Sequence, residues 1–217
     1  MRLLSVSLNF EGRSALLIGA GKVGRRKLAN LLSAGARVRV VEPDPAPWLL
    51  ELAAEGLIRL EKVFKEEFLD EAPFVFLSAP QDEAACPVID LAKKKGLWLN
   101  SANPGPETNF YLPAVINEGP FRLTVSTGGT SPALAAKVAG DLRSEYRGYG
   151  AFCFLMGALR PLILESGLGE AKRREMFKNL AENPALLALL RDGDKDLLRQ
   201  TVARLVSPLR LPDDFPI

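Results

Sequence analysis

Short apolar runs alternate with helical periodicity over the first hundred residues of this chain. Residues 14–19, 36–42, 57–63, 73–79 and 96–100 read as strands. Between them, 22–34, 47–55 and 81–95 read as helices, the first with Val23, Leu28, Leu31 and Leu32 at core spacing. Ser33-Ala-Gly35 places a helix-ending glycine where one is expected. Phe74-Val-Phe-Leu77 is apolar throughout, the pattern of a strand covered on both faces. Strand and helix in strict alternation predict an α/β fold, a doubly wound parallel sheet with helical cover.

The pattern changes after Asn100. Ser101-Ala-Asn-Pro-Gly-Pro-Glu107 is rich in turn residues and denies regular structure. Two strand-like segments follow, Tyr111 to Asn117 and Phe121 to Ser126, joined by Glu118-Gly-Pro120. In the second, Phe121, Leu123 and Val125 fall on one face, and Arg122, Thr124 and Ser126 on the other. A lone two-stranded ribbon is marginal in water, so this one is expected to pair with another sheet or another subunit. From Ser131 the chain reads helical, with Ser131 as N-cap, Pro132 in the first turn and Leu134, Val138 and Leu142 along one face. Further helices are predicted near 149–165, 170–181, 184–191 and 194–205, and the proline-bearing tail from Pro208 is expected to be irregular. The expected domains are 1–110 (dinucleotide-binding), 111–130 (a small β dimerisation segment) and 131–217 (a C-terminal helical domain for substrate and dimer contacts).

Composition narrows the function classes. The 217 residues are 47% hydrophobic and 25% charged, ordinary for a globular protein, and the net charge of +2 lacks the basic excess of a nucleic-acid binder. No apolar run is long enough to span a membrane, and Met1-Arg-Leu-Leu-Ser lacks the apolar region of a signal peptide, so a cytoplasmic location is expected. Cys86 and Cys153 show no metal or redox spacing and are expected to pack as small apolar residues. The chain has no histidine, which removes the usual general base and the commonest transition-metal ligand; no metal site is expected.

The densest chemical signal is Gly19-Ala-Gly21-Lys-Val-Gly24, a G-x-G-x-x-G turn between a predicted strand and a predicted helix. In that context Gly19 serves the tight turn, Gly21 the approach of a pyrophosphate and Gly24 the close packing of helix on strand. The helix N-terminus supplies free N–H groups and a positive dipole end for phosphate. The next strand ends in Glu42, whose carboxylate suits a ribose 2′-hydroxyl and so favours NAD over NADP. The Rossmann-like cofactor site is therefore assigned to Gly19, Gly21, Lys22, Val23, Gly24, Glu42, Pro43, Asp44 and Ser78, the last at the carboxyl edge of the fourth strand. A glycine turn that only packs a helix on a sheet is the alternative.

A second segment, Thr127-Gly-Gly-Thr-Ser131 ahead of Pro132, combines two glycines, three hydroxyls and a helix start. It suits a carboxylate or phosphate, the alternative being a capped helix after a tight turn. Substrate contacts are assigned to Asn100, Thr127, Gly128, Gly129, Thr130 and Ser131, with Lys137, Arg143, Arg147 and Lys172-Arg-Arg174 as candidate cationic walls, each of which alone reads equally as part of a solvated helix face.

The glycine turn with Arg26-Lys27 after it, Asn109-Phe-Tyr-Leu-Pro113 and Ser126-Thr-Gly-Gly-Thr-Ser-Pro132 together resemble the precorrin-2 dehydrogenases, the siroheme-synthase proteins. The resemblance runs from about Leu8 to Leu164. It implies a homodimer with an intertwined central β segment, oxidation of precorrin-2 to sirohydrochlorin with NAD and, in some members, iron insertion. Family members commonly carry an aspartate in a stretch like Asn-x-x-Asp, where this chain has Asn100-Ser-Ala-Asn103. Asn103 is thus the candidate catalytic position, and its amide can orient a substrate but cannot take a proton at neutral pH, which argues against iron insertion. A different small-molecule oxidoreductase, an NAD-binding regulatory protein with impaired catalysis, and a bifunctional dehydrogenase/ferrochelatase remain the competing readings.

Overall fold

The computed structural model describes residues 3–79, 85–102, 105 and 107–216, the side chains of 85 and 86 excepted. The chain divides into two compact units, Met1–Leu112 and Pro113–Ile217.

The first unit holds β1 (Ser14–Ile18), α1 (Lys22–Ser33), β2 (Arg37–Val41), α2 (Pro47–Ala54), β3 (Ile58–Glu61), α3 (Phe68–Glu71), β4 (Phe74–Leu77), α4 (Ala85–Lys94) and β5 (Trp98–Ser101). All neighbouring strands run parallel, in the order β3-β2-β1-β4-β5. Period-2 alternation sorts the side chains between two faces. Ala15, Leu17, Phe74 and Phe76 pack with Leu28 and Leu31 of α1 and Leu49 of α2. Leu16, Ile18, Val75 and Leu77 pack with Phe68 and Leu69 of α3 and Val88 and Ala92 of α4. Both faces of β4 are buried, as its apolar run requires. The strand order reverses between β1 and β4, so a crevice belongs at the carboxyl ends there.

In this unit the structure corrects two local readings. Val23 is 39% exposed and not a core residue of α1. The buried stripe is Gly24, Lys27, Leu28 and Leu31, an i, i+3, i+4, i+7 set in which a lysine occupies a core position. The single turn α3 went unread, because four residues are too few for a period to register.

The stretch after β5 is stapled to it. Asn109 Nδ2 donates to Leu97 O at 2.8 Å, and its Oδ1 accepts from Leu99 N at 2.8 Å. Phe110 then inserts its ring edge-on against Phe76, 5.3 Å between centroids, and contacts Phe74 and Trp98.

In the second unit, β6 (Ala114–Glu118) and β7 (Phe121–Val125) form an antiparallel ribbon, followed by α5 (Pro132–Glu145), α6 (Tyr149–Leu164), α7 (Glu170–Glu182), α8 (Pro184–Asp192) and α9 (Lys195–Leu205). The strand expected from Tyr111 begins instead at Ala114, because Pro113 has no N–H to give a ladder. The ribbon is supported within its own unit, by α5 and α6. Glu118 Oε2 accepts from Gly148 N at 2.9 Å, and Phe121 lies 5.9 and 5.1 Å from the rings of Tyr146 and Tyr149. The buried stripe of α5 centres on Ala135 and Ala139, while Leu134 is 51% exposed. Stepping by four from Leu134 drifts off a helix face, whereas 135, 138, 139 and 142 stay on one. Leu155, Leu159 and Ile163 of α6 pack with Leu180, Leu186, Leu198 and Val202 from the last three helices.

Asn109→Ala removes both staples from the edge of β5 and leaves a strand N–H and carbonyl unpaired. It is expected to lower unfolding free energy by about 1–3 kcal/mol in urea denaturation; an unchanged midpoint contradicts the staple.

Candidate functional site

The turn after β1 is built by backbone-to-backbone contact. Gly19 has φ +87° and donates its N–H to Val41 O at 2.9 Å, joining the ends of β1 and β2. A Cβ on it would lie 2.5 Å from Ala79 N and 2.8 Å from the Ser78 carbonyl carbon. Ser78 N and Ala79 N in turn donate to Ile18 O at 2.7 and 3.1 Å. A Cβ on Gly24 would fall on the Gly19 carbonyl. Gly21 differs from both: it is the N-cap of α1, and a Cβ on it would meet nothing within 4 Å. Packing therefore demands glycine at 19 and 24 but not at 21.

Around this turn the groups suit a diphosphate. The first turn of α1 carries no acidic side chain and no side-chain cap, so its N–H groups are free for an anion. Lys22 and Val23 are exposed beside them. The Ser78 hydroxyl is buried and has no hydrogen-bond partner among the described residues. Glu42 leans back over the turn: its Oε2 accepts from Ala20 N at 2.7 Å and its Oε1 from Asp44 N at 3.4 Å. Pro43 and Asp44 continue as an exposed loop. Arg25 lies over the Trp48 ring, 4.8 Å from its centroid.

Asn100 does something other than the sequence suggests. Its side chain is buried and donates Nδ2 to Phe110 O at 2.9 Å, a structural tie. Its carbonyl accepts from Lys27 Nζ at 3.4 Å, and Leu77 O accepts from the same Nζ at 3.5 Å. Lys27 is 6% exposed. Burial, helped by the neighbouring Arg26 charge, pushes its ammonium down to a pKa of about 8. The sequence gives this residue a place in the family resemblance but no task of its own. The signal was a lone charge in the i, i+3, i+4, i+7 stripe of α1.

The second unit contains the other predicted cluster. Gly128 and Gly129 have φ +63° and +83°. Thr127 Oγ1 donates to Ser131 O at 3.0 Å and accepts from Ser131 N at 3.1 Å, Thr130 Oγ1 donates to Thr127 O at 2.6 Å, and Ser131 Oγ caps Leu134 N at 3.2 Å. Several of the donors that suit an anion thus hold the turn itself together. Lys137 is paired with Asp141 at 2.6 Å, Arg174 pairs with Glu170, and Arg173 donates to Leu164 O at 2.9 Å. Asn103, the candidate catalytic position, lies outside the described residues.

A cavity of about 490 Å³ opens at the opposite, amino edge of the sheet, lined by Ser14, Arg37, Ile58, Arg59 and Glu71 among others. Its deepest cation, Arg39, is already paired with Glu61 at 2.8 Å and Glu71 at 2.6 Å. Its lining contains no G-x-G-x-x-G turn, and the ligands of such sheets bind at the other edge. Among the described residues no three Cys, Asp or Glu side chains gather into a metal-binding group, and no helix is long and apolar enough to cross a membrane.

Comparison with known proteins agrees with this geometry. A family model described as putative NAD(P)-binding matches residues 6–114, half of the chain. The precorrin-2 dehydrogenase of Priestia megaterium is 27% identical over 193 residues, covering 88% of this chain and 95% of that protein. The siroheme synthase of Salmonella paratyphi A is 29% identical over 206 residues, 94% of this chain. The chain spans 45% of that relative's length. The solved structure of SirC, a precorrin-2 dehydrogenase, superposes with a TM-score of 0.75 at 26% identity, over 93% of this chain and all of that one. The chain belongs to the putative NAD(P)-binding family, and its first unit is a Rossmann-like nicotinamide-dinucleotide domain. Its likeness to precorrin-2 dehydrogenases extends through the helical unit as well.

Between pH 8 and 10.5 the folded chain has released the Lys27 proton while the unfolded chain still binds it, so Lys27 makes stability rise with pH across that window. Wild type is expected to gain about 3 kcal/mol relative to Lys27→Met over this range. Denaturant titrations at closely spaced pH values check it; parallel curves for the two proteins refute it.

Proposed function

We propose that this chain oxidises precorrin-2 to sirohydrochlorin with NAD as acceptor. The observation that carries the cofactor half of this reading is Gly21, a glycine no protein contact requires, at a helix N-terminus with no acid of its own. The substrate half is supported by near-complete coverage of a precorrin-2 dehydrogenase in sequence and of a solved precorrin-2 dehydrogenase in structure. NAD, when bound, supplies the hydride acceptor, and the second hydrogen leaves as a proton.

The chain's residues have separable tasks in this reading. Gly21 leaves room for the diphosphate, and the N–H groups of Lys22 and Val23 face it. Glu42 accepts from a ribose hydroxyl, and its charge opposes a 2′-phosphate, which supports NAD over NADP. The buried Ser78 hydroxyl, without a partner among the described residues, donates to or accepts from the bound cofactor. The Thr127–Ser131 turn and the neighbouring cations serve substrate carboxylates. Asn103 orients the substrate by hydrogen bonds. Iron insertion is left out of the proposal, because an amide there takes no proton. A homodimer is proposed as well, supported by Val115 and Phe154, which stay 43% and 65% exposed in the second unit.

The purified protein is expected to convert precorrin-2 to sirohydrochlorin with NAD, followed by absorbance, and to leave added iron uninserted. Binding of NAD without any conversion favours the regulatory reading instead. Gly21→Ala, which fits its own fold without a clash, is expected to weaken NAD binding by about tenfold or more, roughly 1.4 kcal/mol. Wild type should bind NAD more tightly than NADP. Unchanged affinity in the variant, or a preference for NADP, counts against the assigned site.

A further inference from the structure

Lys27 is unusual in where its charge lies. Lysine is almost never fully buried unless paired. Here the ammonium meets two backbone carbonyls, Leu77 O and Asn100 O, and among the described residues it has no carboxylate partner. Those carbonyls belong to β4 and β5, at the carboxyl side of the sheet, one residue before Ser78 in the first case. Two neutral acceptors at 3.5 and 3.4 Å are long contacts and weak compensation for taking a cation out of water. A methionine would fill the same stem space without that penalty, so stability alone gives no reason for a charge here.

The position of the charge relative to a bound dinucleotide follows from topology. A dinucleotide crosses a doubly wound sheet at its switch point, here between β1 and β4. Glu42, at the end of β2, takes the adenosine ribose, which leaves the nicotinamide half on the β4–β5 side, over the strand ends that Lys27 touches. The nicotinamide ring is cationic when oxidised and neutral when reduced. A fixed positive charge beneath it repels one form and ignores the other. The diphosphate carries the same charge in both forms, so its attraction to Lys27 cancels in any comparison between them.

We propose that Lys27 is a charge built into the fold to favour the reduced, neutral nicotinamide over the cationic one, and so to draw hydride toward the cofactor. This rests on the dinucleotide reading given above. Among the described residues no carboxylate opposes the charge, and Glu42 is turned to Ala20 N. β1, β4 and β5 present no ionisable side chain, β2 contributes Arg37 and Arg39, and α1 itself adds Lys22, Arg25 and Arg26. Arg39 is neutralised by Glu61 and Glu71, and Glu107, on the stretch beside β5, accepts from Gly105 N at 3.2 Å.

The test is the ratio of dissociation constants for NAD⁺ and NADH, measured by titration on the whole protein as wild type, Lys27→Met and Lys27→Arg at pH 7. The ratio is expected to fall about three- to tenfold in Lys27→Met, chiefly through tighter NAD⁺, and to hold in Lys27→Arg. In wild type it should also fall as pH rises from 7 to 9.5, as Lys27 loses its proton near pH 8. That pH series needs no variant and decides the matter if Lys27→Met does not fold. Equal weakening of both forms in Lys27→Met, with a ratio flat in pH for wild type, marks Lys27 as a mere strut and overturns the proposal while sparing the dinucleotide site. Failure of wild type to bind either form overturns both.

Discussion

Everything at the carboxyl edge of the first unit depends on how closely α1 approaches the seam between β1 and β4. Gly24 sits against the Gly19 carbonyl, and Gly19 against the Ser78–Ala79 backbone, with no room for a Cβ at either place. A tightly packed interior transmits any added atom as strain, so neither position tolerates one. The reward for this approach is geometric. It brings a helix N-terminus, the Glu42 carboxylate and the Ser78 hydroxyl around one crevice, each fixed by backbone hydrogen bonds rather than by flexible side chains. The site is thereby formed before any ligand arrives.

The same geometry separates residues that hold the site from residues that face a ligand. Asn100 and Asn109 are both polar residues near the edge strand, and both spend their amides on backbone groups of neighbouring segments. They act as mortar for the stretch that ends the first unit. At Gly21, in contrast, a Cβ would meet nothing within 4 Å, and the Ser78 hydroxyl has no hydrogen-bond partner among the described residues. Neither feature is explained by packing or hydrogen bonding among the described residues.

Charge is distributed between the two edges in opposite ways. At the amino edge Arg39 is held by two glutamates and stacks over Phe68, 4.2 Å from the ring centroid, the ordinary management of a half-buried cation. At the carboxyl edge Lys27 meets only carbonyls among the described residues, and its depressed basicity follows from burial. An expensive charge sits at the carboxyl edge and a balanced one at the amino edge.

Much of this was legible in the residues. The glycine turn, the acid ending β2, the capping Ser131 with Pro132 and the all-apolar β4 are local patterns whose physics acts within a few positions, so the sequence by itself determined an α/β sheet, its order of elements and the chemistry of a dinucleotide crevice. The three patterned segments also sufficed for the resemblance to precorrin-2 dehydrogenases. Tertiary structure alone decided that packing requires glycine at 19 and 24 but not at 21, because the Gly19 backbone lies against Ser78 and Ala79, far along the sequence. It decided that the ribbon leans on α5 and α6 of its own unit, that the stripe of α5 runs through Ala135 and Ala139, and that Asn100 is a tie. It also buried Lys27, since the face a helix residue presents is set by what packs on it, and a lysine in an apolar stripe is concealed only when strand ends close over it.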